Sequence, residues 1–359
     1  MIFDLLKFDI LEFMTTVKIL GIVVSSISNS LILILLQFPK CAKFGTYRYL
    51  MTSYTIIDMV YSVSYYISDM SAHSTNTSYV LFRHFRGTNR LLGAVSLMQF
   101  CVMYMVVLCI LAVHFIYRYV ALCAKHKLPK YFSTQKIFIW VASCLVFGIM
   151  VAAYKGYIFY ECPYTTEKLR PEFAKYYNLT MEEIVYNGPV YWMCDENEEN
   201  CYSPKTTILG MGSILFFLSL CLASMAMFGF KCFAELRRHR EHLSEITKAL
   251  QKQLLNALLI QSVIPIFFMY IPITLLFLTP AFGFGFGIYG NISMISIAIY
   301  PPIDQFAILF IIRDFRDIIK NTMSRLRILS PRNETSVTSN RETAVLYSIR
   351  VTRASRQIS

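Results

Sequence analysis

Charge is scarce in this chain. Of its 359 residues only 16 % are Asp, Glu, Lys or Arg, against roughly 25 % in an ordinary soluble domain. A soluble fold of this length needs a polar skin that the composition cannot furnish. Disorder of the bulk is excluded too, because 56 % of the residues are hydrophobic and the mean hydropathy is +0.49. Also lacking are a metal-ligand set, a phosphate-binding glycine loop and a nucleophile–base pair. Catalysis therefore has no support, and no cofactor is expected. His73 and His84 share a short loop but have no Cys at ligand spacing. No repeat relates one half to the other, which weakens a transporter built from duplicated halves. No filter or charged ring is legible, which weakens a pore. Residues 1–13 carry Asp4, Lys7, Asp9 and Glu12 rather than a basic leader, so no cleavable signal is expected.

What is present is apolar length. Seven runs are long enough to cross a bilayer, which takes about 20 residues. They cover Thr16 to Phe38, Tyr49 to Met70, Leu91 to Val120, Ile137 to Tyr160, Thr207 to Phe233, Leu254 to Leu278 and Phe284 to Ile312. None alternates polar with apolar, so helices are the only spanning solution. The expected fold is an all-α membrane protein, a seven-transmembrane helix bundle.

Lys and Arg fix its expected orientation. Twenty-four of the 34 lie on one side of the seven runs and eight on the other, while Lys18 and Lys155 fall within helix ends, from which they can snorkel. The bias puts the N-terminus outside and the C-terminus in the cytoplasm. The net charge of +12 then reads as contact with the inner leaflet and protein partners, not with nucleic acid. Sequons at Asn76 and Asn178 fall in outside loops and are glycosylation candidates. Asn291 lies within or beside the seventh run, and Asn333 lies in the tail; both should stay bare.

The long acidic loop over residues 161–205 holds Cys162, Cys194 and Cys201, three thiols for one bridge of open pairing. It reads as a solvated cover over the bundle mouth or as a lid over a ligand. After the seventh run, Asp314 to about Leu326 reads as an amphipathic helix on the lipid surface. Residues 1–328 form the membrane domain, and 329–359 form a disordered cytoplasmic tail rich in Ser and Thr.

Ionisable groups at membrane depth are functional candidates by default. Asp58 lies mid-membrane in the second run; Asp304 follows Pro301-Pro302, whose missing donors should break the seventh helix. Static packing and a polar switch made of Asp58, Asp304 and neighbours both remain open. Pro265 and Pro272 kink the sixth run, so that its inner end can swing. Arg118 ends the third run in Tyr117-Arg118-Tyr119.

Four stretches together resemble the Str family of nematode seven-transmembrane chemoreceptors. They are Phe44 to Met51 leading to Asp58, Leu111 to Tyr119, Leu250 to Pro272, and Tyr300 to Asp304 followed by Ile311 to Arg316. Phe315 stands where that family leads one to expect Tyr. The resemblance implies a G-protein-coupled olfactory receptor for a small environmental molecule, placed in the plasma membrane of sensory cilia. It implies that Tyr117, Arg118 and Tyr119 serve G-protein coupling without a preceding acid, bordered by the basic Arg237, Arg238, Arg240, Lys248 and Lys252. Expected partners are the ligand, a heterotrimeric G protein and the bilayer; homo-oligomerisation stays open. Candidate ligand contacts are Tyr65, Asp69, Phe100, Cys101, Tyr104, Phe216, Phe217, Phe267, Tyr270 and Met294, with Asp58, Pro265, Pro301, Pro302 and Asp304 as the switch. The rival is a seven-helix ligand-gated channel of the insect odorant-receptor type, with its N-terminus inside. A transporter is the third reading.

Overall fold

The computed structural model describes residues 10–85, 89–123, 125–195, 201–238 and 245–329. The long helices are α1 (Ile10–Gln37), α2 (Tyr47–Ser68), α3 (Arg90–Cys123), α4 (Thr134–Ile158), α6 (Lys205–Arg238), α7 (Glu245–Pro265) and α9 (Asn291–Ile311). A shorter α5 (Pro163–Tyr177) lies between α4 and α6, and α8 (Ile271–Leu278) continues the line of α7 after a π-turn at Ile266–Tyr270. Six segments are apolar and long enough to cross a membrane: α1, α3, α4, α6, the stretch Ala249–Phe282, and Ile288–Ile311. The seventh, α2, is about 33 Å long at 1.5 Å per residue. Its tyrosines, serines and Asp58 make it more polar than the others. It packs between α1 and α3 and buries Asp58, Tyr54, Tyr61, Tyr65 and three of its serines, while Tyr49 and Tyr66 stay exposed. α3 is the central element and touches α2, α4 and α6; α9 packs on α1 and α7.

A small sheet caps one end of the bundle, a departure from the all-α expectation. β1 (Ser71–Ser74) and β2 (Tyr79–His84) form a hairpin, and β3 (Ile184–Asn187) pairs with β2 in antiparallel register, Leu81 opposite Asn187 and His84 opposite Ile184. β1 and β3 are buried throughout, so neither shows the polar–apolar alternation that marks a strand in sequence. The sheet is tied to the bundle by Ser74 and Gly287, which exchange backbone hydrogen bonds, and by Asn291, whose Oδ1 accepts the Ala72 N–H at 2.9 Å. Gly188 is required where the chain leaves β3, since a Cβ there would fall 2.0 Å from the Tyr79 carbonyl oxygen.

The paired prolines do not break α9. Pro301 and Pro302 are buried inside a continuous helix. Proline at 302 leaves the Ala298 carbonyl without its usual N–H four residues on. Gly21 of α1 approaches that carbonyl so closely that an added Cβ would stand 2.9 Å from its oxygen. In the sixth segment the discontinuity is the π-turn that follows Pro265. There α9 reaches across: Ser296 Oγ donates to the Phe268 carbonyl at 2.8 Å, and Ser293 Oγ to the Pro272 carbonyl at 3.1 Å.

Residues 313–359 form a separate unit, of which α10 (Arg313–Leu329) is described. Ser330 to Ser359, including Asn333 and the expected tail, lie outside the described residues.

Candidate functional site

Three places along the bundle hold the groups of interest. The first is a buried polar network in its middle. Asp58 of α2 is fully buried, and its Oδ2 accepts from Asn29 Nδ2 of α1 at 2.9 Å and from Gln305 Nε2 of α9 at 3.0 Å. Asp304 Oδ2 accepts from the Tyr54 hydroxyl at 2.7 Å and from Gln261 Nε2 of α7 at 3.3 Å. Tyr54 also meets the Tyr300 hydroxyl at 3.0 Å. Four helices thus converge on two carboxylates. In each carboxylate Oδ1 has no hydrogen-bond partner among the described residues.

The second place is the end of α3 away from the sheet. Arg118 is buried, its guanidinium 3.6 Å above the centre of the Tyr47 ring. Its Nη1 donates to Gln251 Oε1 of α7 at 3.2 Å. A cation over an aromatic face and a neutral amide hold the charge where the sequence offers no preceding acid. Tyr117 is buried between Tyr47 and Phe132, while Tyr119 leans on Phe228 beneath Lys231. Arg237, Arg238 and Lys252 are exposed. Arg240 and the Lys248 side chain lie outside the described residues. Neither Tyr47 nor Gln251 was singled out in the sequence, although both sit inside stretches that carry the family resemblance.

The third place is an apolar cavity of about 60 Å³ at the sheet end, between α3, α4, α6, α8 and α9. Three of the ligand-contact candidates, Phe100, Cys101 and Tyr104, line it; Lys155, Leu218 and Phe277 also line it and were not among the candidates. The other candidates lie elsewhere. Tyr65 and Met294 are tied to each other by the Tyr65 hydroxyl, which donates to the Met294 carbonyl at 2.8 Å. Tyr270 donates to the Leu218 carbonyl at 3.3 Å. Phe217 is half-buried with its ring against Phe147. Phe267 is 61 % exposed and Phe216 62 %, so both face away from the bundle interior. For Phe267 the cause is the π-turn, whose extra residue rotates the helix by about 100° against an α-helical count.

The two lysines read as snorkelling point inward instead. Lys18 is 3 % exposed and pairs with Asp69 at 2.9 Å, the residue that ends α2 in the left-handed conformation at φ 44°. Asp69 is therefore a structural partner, since its Oδ1 meets that ammonium. Lys155 is 6 % exposed and donates to Asn187 Oδ1 of β3 at 2.5 Å.

Over this end, α5 starts at Cys162-Pro163 and packs Phe173 and Tyr177 against Phe82 and His73. His73 is buried, with Nε2 2.5 Å from Glu172 and Nδ1 3.2 Å from the Tyr177 hydroxyl. Below α5, Glu183 Oε2 accepts from the backbone N–H and hydroxyl of Thr180, and these bonds hold its carboxyl below the ordinary value of 4.5. Cys194 and Cys201 form a disulfide, which leaves Cys162 as a free thiol. Asn76 and Asn178 are exposed, whereas the Asn291 side chain is buried and hydrogen-bonded.

Comparison with known proteins agrees with this architecture. The family model described as serpentine type 7TM GPCR chemoreceptor Str matches residues 14–320. Serpentine receptor class r-10 of Caenorhabditis elegans is 28 % identical over 308 residues, covering 85 % of this chain and 89 % of the relative. Its namesake in Caenorhabditis briggsae is 27 % identical, with 86 % and 90 % covered. G-protein coupled receptor str-33 of Caenorhabditis elegans is 25 % identical over 296 residues, with 81 % and 85 % covered. A multi-pass bundle with a buried arginine closing α3 and a match over nearly its whole described length together mean that the chain belongs to the Str family of serpentine seven-transmembrane chemoreceptors.

Proposed function

We propose that this protein is a plasma-membrane receptor that binds a small molecule in the cavity at the sheet end and activates a heterotrimeric G protein at the Arg118 end. The N-terminus and sheet face outward, and Arg118 faces the cytoplasm. The observation that carries the reading is the placement of Arg118 in a Str-family chain. A buried arginine with no acidic partner among the described residues lies near the far end of the same helix that lines the cavity with Phe100 and Tyr104, and it is bonded to the segment that holds the π-turn. Ligand binding favours an arrangement in which α7 parts from α3 and frees Arg118 for the G protein. Asp58, Asp304 and the prolines at 265, 301 and 302 form the switch between the two ends. Exposed Arg237, Arg238 and Lys252 border the docking surface. α10 lies in the inner interface with its apolar side toward lipid, and Asn76 and Asn178 carry glycans outside. The cell type is a ciliated sensory neuron, as the family resemblance implies.

The test combines side and signal. An epitope at Met1 should be reached by antibody on intact cells, and Arg118→Ala or Arg118→Leu should abolish ligand-evoked G-protein signalling at unchanged surface level. A tag reached only after permeabilisation, or current evoked without any G protein, overturns the reading in favour of a channel.

A further inference from the structure

The sheet end buries two lysines, and they are not alike. Lys18 has a carboxylate, Asp69, at 2.9 Å. Among the described residues Lys155 has one side-chain acceptor, Asn187 Oδ1 at 2.5 Å, and no acidic side chain among them lines the cavity that Lys155 borders. Asn187 answers that ammonium with one neutral oxygen, since its Nδ2 is itself a donor, bonded to the Phe159 carbonyl at 2.5 Å. An ammonium carries three N–H donors and one full charge, and a buried charge is normally paired. The same cavity is bordered by a second polar side chain, Tyr104. The Tyr104 hydroxyl is buried and makes no hydrogen bond among the described residues. The rest of the wall, including Phe100, Leu218 and Phe277, is apolar.

We propose that the ligand is a short-chain monocarboxylic acid, bound as its anion with the carboxylate between Lys155 and Tyr104 and the hydrocarbon against the apolar wall. This rests on the receptor reading and adds the ligand's chemical class. One cation calls for one negative charge, and a hydroxyl donor beside it suits the second oxygen of a carboxylate. A protonated amine is repelled by Lys155, and an alcohol leaves its charge unpaired. Size limits the rest: one water needs about 10–15 Å³ of such space, so about 60 Å³ admits only a handful of heavy atoms.

The experiment uses the full-length receptor in two formats. Purified protein is assayed for a rise in thermal unfolding temperature, and cells are assayed for G-protein signalling. The probes are straight-chain carboxylates of two to eight carbons, with the alcohol, amine and methyl ester of each length. Carboxylates should act at concentrations about tenfold or more below their alcohols and esters, amines should be inert, and potency should fall once the chain outgrows the cavity. Lys155→Met should weaken carboxylate binding about 10- to 100-fold and erase the preference over alcohols. Lys155→Arg should retain part of it, and Tyr104→Phe should cost about three- to tenfold.

Equal potency of alcohols and carboxylates, or a carboxylate preference that survives Lys155→Met at normal surface level, overturns the proposal. The wild-type probe series decides by itself if the variants fail to fold. Signalling by neutral compounds with no carboxylate binding sinks the ligand class and leaves the receptor. Lys155-dependent thermal stabilisation by carboxylates with no G-protein signal sinks the receptor reading and leaves the ligand class. Binding of no probe in either format sinks the proposal.

Discussion

Removing the Gln251 side-chain amide should turn the receptor on without ligand. Among the described residues Arg118 makes one side-chain hydrogen bond, to Gln251 Oε1 at 3.2 Å, and it crosses from α3 to α7. A hydrogen bond to a charged group contributes about 1.5–3 kcal/mol, and because this bond is long and part-buried about 1–1.5 kcal/mol, just under that range, is assigned to it. Tyr47 stays under the guanidinium whether or not α7 is near, so its contribution cancels between the two arrangements. Gln251→Leu therefore shifts the equilibrium toward parted helices by about 5- to 12-fold. A ligand-free active population of about 1 % would rise to about 5–10 %. The measurement is constitutive G-protein signalling per receptor at the cell surface. Gln251→Glu replaces the amide by an anion, should tighten the contact and should lower the basal signal below wild type. Loss of folding reduces signal in every variant, so opposite responses to Leu and Glu cannot come from instability. Basal activity within twofold of wild type for both variants would refute the idea that this bond restrains the receptor.

Asp58→Ala should lower the stability of the solubilised receptor by about 2–4 kcal/mol, because the buried amides of Asn29 and Gln305 lose their acceptor, while Asp58→Asn keeps an acceptor oxygen and should cost less; thermal unfolding ranks the two. Gly21→Val should push α1 off the Ala298 carbonyl and cost more than Gly21→Ala, at about 1–3 kcal/mol for the smaller residue, read as reduced thermal stability and surface yield. Glu183 titrates below its ordinary 4.5 because the folded loop hydrogen-bonds its carboxylate, so its contribution is complete above the unfolded value and is lost as pH falls through the folded one. Amide protection over Thr180–Glu183, corrected for intrinsic exchange, should weaken on acidification in wild type and stay flat in Glu183→Gln.

The spanning helices were legible because lipid demands apolar side chains around most of their circumference. The second run begins at Tyr49 in the apolar count and at Tyr47 in the structure, a difference of one half-turn. The sheet was hidden for the opposite reason. Its strands are four to six residues long and buried on both faces except at Arg83 and His84, so no periodicity distinguishes them from nearby helix ends. The helix Pro163–Tyr177 did leave a signal. Proline sits at its start, Leu169, Phe173 and Tyr177 recur every four residues, and Asn178 ends it with φ 53°. Lys155 could not be assigned from local sequence. A lysine near a helix end turns to water or inward according to what faces it, and what faces it is Asn187, 32 residues later on β3. Phe267 was misplaced because a π-turn is invisible to a count of 3.6 residues per turn.

The energetics of the two cross-helix contacts fit a receptor for a very small ligand. Among the described residues, the bonds that tie α7 to its neighbours through charged groups are Arg118 to Gln251 and Gln261 to Asp304, each with a neutral amide on the α7 side. Breaking one costs about 1–1.5 kcal/mol, whereas breaking a buried ion pair costs about 3–5. Allosteric coupling typically supplies 1–3 kcal/mol. A molecule confined to about 60 Å³ has few atoms, and even the best small ligands gain at most about 1.5 kcal/mol per atom, most of it shared by both arrangements. An ion pair at Arg118 would exceed what such a ligand can redirect; an amide does not. Under the proposed function, the missing acid before Arg118 and the smallness of the cavity would serve one requirement, that a few atoms at one end of α3 be able to shift a balance at the other.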